Sequence, residues 1–133
     1  MKKMKRRTYL TTMLAAIAST HASAAGPERP IQLHVDLSVD PAKEQEMLKH
    51  FKTVFLPAAS KQPGYIDVKM VKLRATPMGK APEGVNYRFV LNFKSEDLRQ
   101  KWVNSALHQK VWPPMEGFLR TKNYTVMLFD VQE

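Results

Sequence analysis

The sequence predicts an α+β fold with the element order β-α-β-β-α-β, because two kinds of hydrophobic spacing alternate along it. Apolar and polar side chains alternate with the period of two that is typical of strands in residues 31–38, 65–74, 85–93 and 123–131. Apolar side chains recur at helical spacing in two intervening stretches, residues 42–58 and 95–106. This order is the split βαβ, or ferredoxin-like, arrangement, a four-stranded antiparallel sheet with both helices on one face.

The ends of these elements carry matching local signals. Asp40 and Pro41 are preferred residue types for the cap and the first position of a helix, and Ser95 is a cap for the second helix. Pro57 predicts a kink or the end of the first helix, because proline lacks the N–H that a helix uses. In the second strand the alternation slips by one residue after Met70, which predicts a β-bulge there.

The first 24 residues predict a signal peptide. Residues 1–7 hold five positive charges, residues 9–20 form a short apolar run, and residues 22–24 form a small-x-small cleavage site. The apolar run is shorter than the roughly 20 residues of a membrane span. We therefore expect a periplasmic or secreted protein without a stable membrane anchor. Arg6 and Arg7, followed by an aromatic residue and a leucine, also fit a twin-arginine signal, and the residues leave both export routes open.

The rest of the chain predicts one small, mildly basic domain. Residues 25–30 are a polar, proline-containing lead-in that we expect to be flexible, and residues 31–133 form the domain. Residues 1–24 contain five of the 21 Lys and Arg and none of the 12 Asp and Glu, so their removal lowers the formal net charge from +9 to +4. The remaining basic residues are scattered and form no stripe, so we expect no nucleic-acid partner.

The composition and the sheet pattern together predict a homodimer. The chain has no cysteine, so disulfides cannot stabilise this small domain, which gains stability from association. The sheet face away from the helices carries apolar side chains that need a cover: Val90, Met127, Phe129 and Val131. A second copy of the same sheet would cover them, whereas a monomer would leave a modest apolar patch exposed.

Two segments resemble the antibiotic biosynthesis monooxygenase-like (ABM) family of dimeric α/β-barrel proteins. Residues 56–65, LPAASKQPGY, are similar to the family's helix end and turn, and residues 89–108, FVLNFKSEDLRQKWVNSALH, to its third strand and following helix. The resemblance spans residues 31–131. It implies a homodimer whose sheets pack into a barrel, with a small pocket between sheet and helices in each subunit. It also implies an activity range, since some members oxygenate aromatic polyketides or quinols without a metal or flavin and one branch degrades heme.

The resemblance carries over to individual positions only in part. The tryptophan that ends the family's third strand is replaced by Phe93, a helix histidine by Trp102, and a later histidine falls within one residue of His108. The heme-degrading branch pairs a helix tryptophan, matched by Trp102, with a histidine ten residues on, where this chain has Trp112. That branch also uses a first-strand asparagine, which residues 31–38 lack, so heme binding is the less favoured expectation.

Candidate site residues come from both helical and strand segments. His108 is the candidate general base toward a phenol or quinol, because its side chain titrates near neutral pH, with a surface histidine packed on an indole as the alternative. Asn92 and Arg88 are candidates for polarising a substrate oxygen, or they face water. The candidate substrate-binding residues are Trp102, Trp112, Tyr87, Phe55 and His34, of which the aromatic ones suit a flat apolar ligand or else belong to the core.

Three functions remain open on these residues. The first is a cofactor-independent monooxygenase, or a related isomerase, acting on a small aromatic or quinone-like molecule. The second is a non-catalytic dimer that binds or sequesters such a molecule, and the third is a structural dimer whose pocket is only core. No metal-ligand spacing, glycine-rich phosphate loop, nucleophile elbow or paired-carboxylate spacing occurs in the sequence, so we expect no metal and no cofactor.

Overall fold

A single sheet organises residues 28–133, the part of the chain that the computed structural model describes. Its strands are β1 (Ile31–Leu37), β2 (Tyr65–Lys72), β3 (Tyr87–Phe93) and β4 (Thr125–Asp130). They lie in the order β2-β3-β1-β4, and each neighbouring pair is antiparallel. The predicted α+β, ferredoxin-like arrangement is therefore confirmed. The predicted signal peptide lies outside the described residues, and of the lead-in only residues 28–30 are described, as exposed chain without regular structure.

Two helical segments connect the strands. The first runs through a 3-10 turn (Pro41–Lys43), α1 (Glu44–His50), a π-helical turn (Phe51–Phe55) and α2 (Leu56–Ala59). The second consists of α3 (Glu96–Val103), α4 (His108–Val111) and α5 (Pro113–Glu116). Among residues 28–133, none of the helices combines the length and the apolar character that crossing a membrane requires.

Local side-chain chemistry explains where these helical segments begin. An oxygen of the Asp40 carboxylate accepts a hydrogen bond from Ala42 N at 2.9 Å, and Ser95 Oγ accepts one from Leu98 N at 3.2 Å, so both predicted caps form. Pro57 does not end the first segment. The regular helix is interrupted before it by the wider π-helical turn, and Pro57 lies in the first turn of α2.

The core lies between the helical segments and one face of the sheet. All odd-numbered residues of β1 and β3 are buried, and the register pairs Leu33 with Leu91 and Val35 with Phe89. These side chains belong to one apolar cluster with residues of both helical segments, including Met47. The alternation of side chains directs the even-numbered residues of β1 and β3 to the opposite face, which we call the open face.

β2 departs from the pattern that the sequence predicts. The bulge lies between Tyr65 and Asp67, where the register against β3 shifts, and not after Met70. From Val68 onward the alternation is regular, with Val68 buried in the core and Val71 on the open face, 43% exposed. The apparent slip in the sequence arises because both faces of this strand carry apolar side chains.

The open face combines apolar side chains with a bonded polar group. Its apolar members on paired strands are Val71, Val90, Met127 and Phe129. Beside them, Arg88 Nε and Nη2 donate to the two carboxylate oxygens of Asp36 at 2.6 and 3.0 Å. The open face therefore presents an apolar surface whose buried carboxylate is already paired within the protomer.

Candidate functional site

An aromatic cavity of about 150 Å³ lies between the sheet and the helical segments. The sheet side chains that line it are Leu33, Val35, Phe89, Leu91 and Val126. The remaining lining residues are Phe55, Arg99, Trp102, Val103, His108, Trp112 and Tyr124. Because most of these side chains sit on strands and helices of the core, the cavity has a rigid frame.

The spacing of α4 brings His108 and Trp112 onto one wall of this cavity. The two residues are one helical turn apart, and their rings stack with centroids 6.3 Å apart at 14°. Ser105 Oγ accepts a hydrogen bond from His108 N at 3.2 Å and so stabilises the start of α4. Trp102, near the end of α3, meets the His108 ring edge-on with centroids 5.0 Å apart. His108 therefore lies between two indole rings.

Phe55 closes the cavity from the first helical segment. Its ring centroid lies 5.9 Å from that of Trp102, 5.8 Å from Trp112 and 6.3 Å from His108. Phe55 and Trp102 are only 1% and 2% exposed. Since core side chains are close-packed, neither ring can move aside without disturbing its neighbours.

Two buried polar atoms of cavity residues have no hydrogen-bond partner within residues 28–133: Trp102 Nε1 and His108 Nδ1. Leaving a buried donor or acceptor unpaired costs about 1–3 kcal/mol, so such groups are rare in protein interiors. The indole N–H can only donate, whereas a neutral imidazole nitrogen can donate or accept, according to its tautomer. Both atoms belong to residues that line the cavity.

Burial and a neighbouring cation hold His108 in its neutral form. Burial lowers the pKa of His108 below its usual 6.5, and the positive charge of Arg99 lowers it further. Arg99 is itself bound by Glu96, since Arg99 Nε and Nη2 donate to the two carboxylate oxygens at 2.7 and 2.6 Å. A neutral imidazole can accept a proton at neutral pH, which is the state that a general base needs.

A short hydrogen-bond chain fixes the second indole. Trp112 Nε1 donates to Tyr124 Oη at 3.1 Å, and Tyr124 Oη donates to Glu116 at 2.7 Å. Burial and the acceptor carboxylate of Glu116 raise the pKa of Tyr124, so its hydroxyl keeps its proton at neutral pH. The N–H of Trp112 is therefore satisfied, in contrast to that of Trp102.

Sequence reasoning missed two of these residues, Arg99 and Tyr124. Helical spacing could have found Arg99, since it precedes Trp102 by three positions on α3 and so lies near it on the helix surface. The signal for Tyr124 was its alternation with Val126, which assigns both residues to the helical side of the last strand. Only the position of β4 beside β1 brings that side to the cavity.

The sheet separates the other predicted site residues from this cavity. Phe55, Trp102, His108 and Trp112 come together as predicted substrate and proton-transfer residues, but Arg88, Asn92 and His34 lie on the open face. Most of their polar atoms are engaged there, but the buried His34 Nδ1 has no hydrogen-bond partner within residues 28–133. Arg88 binds Asp36, Asn92 Nδ2 donates to Asp67 at 2.7 Å, and His34 Nε2 lies 2.5 Å from Gln32 Oε1.

Tyr87 faces the helical side of the sheet but lies outside the cavity. Its hydroxyl donates to Glu44 at 2.6 Å, and burial together with this carboxylate raises the pKa of Tyr87 to about 12. The structure thus brings four of the eight predicted site residues to one cavity, and the roles assigned to all eight stay predictions. Within residues 28–133, no three His, Asp or Glu side chains converge on a point that could hold a metal ion.

Comparison with known proteins identifies the fold. No protein-family model matches the chain, and no curated protein matches it. A solved structure of a candidate antibiotic biosynthesis monooxygenase from Caulobacter crescentus CB15 is 19% identical, with a TM-score of 0.63 over 85% of this chain and 99% of that chain. SnoaB, a cofactor-independent oxygenase from Streptomyces nogalater solved as a mutant, is 11% identical, with a TM-score of 0.63 over 79% and 95% of the two chains.

A third solved structure, a dimeric ferredoxin-like protein of unknown function from Jannaschia sp. CCS1, is 14% identical, with a TM-score of 0.60 over 78% of this chain and 99% of that chain. At such identities the likeness establishes the fold alone. The resemblance that the sequence shows to the ABM family is confirmed at that level: the chain has the α+β, ferredoxin-like fold of ABM-like proteins.

Proposed function

We propose that this protein is an exported homodimer that binds a small aromatic or quinone-like molecule in its cavity and oxygenates it without a cofactor. The observation that carries the proposal is His108, whose Nδ1 lacks a partner and whose ring centroid lies 5.0 Å from that of Trp102 in the wall of an otherwise aromatic cavity. An aromatic lining suits a flat apolar ligand, and convergent polar groups orient it. The shared fold with a cofactor-independent oxygenase supports the same reaction class.

His108 acts as the general base in this proposal. The neutral imidazole takes the proton of a phenol hydroxyl, and the Trp102 N–H donates to the oxyanion that forms. The phenolate supplies electrons to O₂. One oxygen atom bonds to a ring carbon, the other leaves as water with the two hydrogens lost from the phenol, and the phenol becomes a quinone. The oxidant is O₂ itself, so the reaction needs no external reductant.

The dimer would form through the open faces of two sheets. Phe129 and Val71 are 47% and 43% exposed there, and face-to-face packing of two sheets buries such side chains. The Arg88–Asp36 pair is closed within the protomer, so a second sheet can cover it without leaving a charge unpaired. A dimeric protein of the same fold supports this assembly.

A non-catalytic dimer that binds or sequesters the same ligand is the second candidate. The lowered pKa of His108 favours it, because a less basic imidazole removes a phenol proton less readily. Heme remains the less favoured ligand, since a cavity of about 150 Å³ is well below the roughly 300–1,000 Å³ of ordinary small-molecule sites.

Oxygen uptake by the purified dimer in the presence of phenols and quinols distinguishes the two candidates. We expect His108→Gln to lower the rate by a factor of about 10² or more, the usual contribution of a general base. The matched control is His50→Gln, because His50 lies outside the cavity with its Nε2 2.8 Å from the carbonyl oxygen of Val111. Binding without oxygen uptake would support the second candidate, and the absence of both would reject the two together.

Export is tested on the protein recovered from its own host. Native mass spectrometry of the periplasmic fraction should show a dimer of chains that begin near Ala25 and that carry a small-molecule mass. Replacing Arg6 and Arg7 with lysines should block export by the twin-arginine route and leave general export unaffected. Full-length chains retained in the cytoplasm would contradict the export part of the proposal.

A further inference from the structure

We infer that the proposed dimer is controlled by pH through His34, whose imidazole lies on the open face and must be neutral when two sheets pack together. The inference rests on the dimer in the proposed function and adds its regulation. Three features of the open face support it: a directed chain of hydrogen bonds that ends at His34, a buried ring nitrogen that this chain does not use, and the apolar side chains around the ring.

A row of polar side chains crosses the open face and ends at His34. The strand register pairs Asn92 of β3 with Asp67 of β2 on one side and with Gln32 of β1 on the other. Asn92 Nδ2 donates to Asp67 Oδ1 at 2.7 Å, and Gln32 Nε2 donates to Asn92 Oδ1 at 3.0 Å. The side-chain oxygen of Gln32 lies 2.5 Å from His34 Nε2. The four side chains therefore form one continuous chain of hydrogen bonds over three strands.

The carboxylate of Asp67 fixes the direction of this chain. An ionised carboxylate only accepts hydrogen bonds, so Asn92 presents its NH₂ group to Asp67 and its oxygen to Gln32. Gln32 then presents its NH₂ group to Asn92 and its oxygen to His34. Because that oxygen also only accepts, His34 Nε2 carries the hydrogen of the neutral imidazole. Nδ1 of His34 is therefore the atom that takes a proton when the pH falls.

This Nδ1 atom has surroundings that do not stabilise a positive charge. It is buried and has no hydrogen-bond partner within residues 28–133. The register places Val90 and Met127 on either side of His34, and the Phe129 ring meets the imidazole edge-on with centroids 4.9 Å apart. None of these three side chains has an oxygen that could accept a hydrogen bond from a protonated Nδ1. Protonation therefore creates a poorly solvated charge.

The ionisable groups of the open face are already paired with one another. Asp36 of β1 binds Arg88 of β3, with Arg88 Nε 2.6 Å from Asp36 Oδ1. On β2, Lys69 Nζ lies 3.4 Å from Asp67 Oδ2, and β4 directs no ionisable side chain to this face along its length. Burial lowers the pKa of His34 below its usual 6.5, and Arg88 lowers it further against an opposing effect of Asp36.

A second sheet packed on the open face would strengthen this effect. In the single protomer His34 is only half-buried, so water still reaches part of its ring. Covering the ring removes that water, which disfavours the charged form of His34 more than the neutral form. The dimer therefore binds fewer protons than two separate protomers. By linkage, dimerisation is strongest above about pH 6.5 and weakens as the pH falls through the pKa that His34 has in the monomer.

Sedimentation velocity of the mature protein over a concentration series tests the inference at pH 7.5, 6 and 5. Far-UV circular dichroism checks that the chain stays folded at each pH, so that dissociation is not confused with unfolding. We expect the dimer dissociation constant to rise by a factor of about 10 or more between pH 7.5 and 5, which lies within the usual range of coupling between two binding events.

One substitution removes the titration and keeps the hydrogen bonds. In His34→Gln the amide can donate to Gln32 and offers an oxygen in place of Nδ1, but it takes no proton, so the dissociation constant should stay nearly constant with pH. The matched control is His50→Gln, because His50 lies in the first helical segment with its Nε2 2.8 Å from the carbonyl oxygen of Val111. This control should keep the pH dependence of the wild-type protein.

Nitrogen-15 NMR of the imidazole rings tests the hydrogen-bond chain apart from the dimer. It distinguishes a ring nitrogen that carries hydrogen from one that does not, and neutral His34 should carry its hydrogen on Nε2. Asn92→Leu breaks the chain and should allow the second tautomer to form. The control, Asn104→Leu, changes an exposed residue at the end of α3 and should leave the tautomer of His34 unchanged.

The outcomes separate the inference from the proposed function. A dimer whose dissociation constant is the same at pH 7.5 and 5 would overturn the inference and leave the proposed dimer intact. The inference is also overturned if His34→Gln keeps the wild-type pH dependence, or if neutral His34 carries its hydrogen on Nδ1. A wild-type protein that stays monomeric at pH 7.5 at every concentration would overturn the proposed dimer, and the inference with it, but not the chemistry proposed for the cavity.

Discussion

The chemistry of a single residue, His108, depends on what surrounds it. Its imidazole lies between the indoles of Trp102 and Trp112, with Phe55 across the cavity. These rings cannot solvate a positive charge as water does, and Arg99 opposes that charge directly. Protonation of His108 therefore costs free energy in the folded protein and not in the unfolded chain.

This cost predicts a pH dependence of stability. The pKa of His108 lies below 6.5 in the folded state, and an exposed histidine in the unfolded chain titrates near 6.5. The unfolded state binds more protons between these values, so the stability contributed by the neutral imidazole is complete above about pH 6.5. It is lost as the pH falls through the folded-state pKa. His108→Phe should show a smaller loss of unfolding free energy on acidification from pH 7.5 to 5, measured by urea denaturation.

His34 also has a pKa lowered by burial and by Arg88, so the wild-type protein should lose some stability on acidification even without His108. The unfolding free energy of the double variant His34→Phe/His108→Phe should then change less with pH than that of either single variant. Equal pH dependence in wild type and His108→Phe would contradict the structural environment described for His108.

At the scale of elements, one glycine decides how the first helical segment and β2 fit against α3. Gly64 precedes β2 and has a φ of 88°, a conformation that other residues adopt only with strain. A Cβ built at Gly64 would lie 2.6 Å from Leu98 Cδ1 and 2.8 Å from Leu98 Cβ. Backbone and packing therefore both require glycine at this turn, which holds α3 and its cavity residues against the sheet.

Gly64→Ala should accordingly destabilise the protein more than Gly79→Ala. Gly79 also has a positive φ, 82°, but a Cβ there would meet nothing within 4 Å. The control, Gly79→Ala, should lower the unfolding free energy by about 1–2 kcal/mol, because alanine is strained in the left-handed backbone conformation. Gly64→Ala adds the collision with Leu98, so we expect about 1–3 kcal/mol more, as for overpacking. If urea denaturation shows equal losses of unfolding free energy for Gly64→Ala and Gly79→Ala, the Leu98 side chain moves aside without destabilising the protein.

At the scale of the whole molecule, the two faces of the sheet have separate roles. One face carries the core and the cavity, and the open face carries Val71, Val90, Met127 and Phe129, which the proposed dimer would bury. A small domain without cysteines gains stability from such burial. In this arrangement the proposed dimer leaves the cavity of each protomer on the outer side of the paired sheets.

Phe129→Asp should therefore convert the proposed dimer into a monomer. A carboxylate in an apolar interface would be desolvated without a partner, which should raise the dimer dissociation constant by a factor of about 10² or more. The control is Val54→Asp, because Val54 is similarly exposed, 41%, but lies in the first helical segment. Sedimentation velocity measures the oligomeric state of both variants. A dimeric Phe129→Asp protein would show that the open face is not the interface.

The sequence predicted the structure best where that structure depends on residues that are close together in the chain. The caps at Asp40 and Ser95 and the alternation of β1 and β3 involve contacts within a few residues or a fixed period. The period of two also places Arg88 and Asn92 opposite the buried residues of β3, so the sequence itself indicated that they do not face the helices. In β2 the same rule failed to locate the bulge, because apolar side chains on both faces mask the alternation.

By itself, then, the sequence determined the order of strands and helices, the helix caps and the two faces of the central strands, since local contacts and strict alternation set them. Tertiary structure alone decided that Tyr124 joins Trp102 and His108, that the cavity holds about 150 Å³, and that two nitrogen atoms of its lining residues lack partners. These properties depend on how side chains from segments distant in the chain pack together, and no pattern within one segment determines that packing.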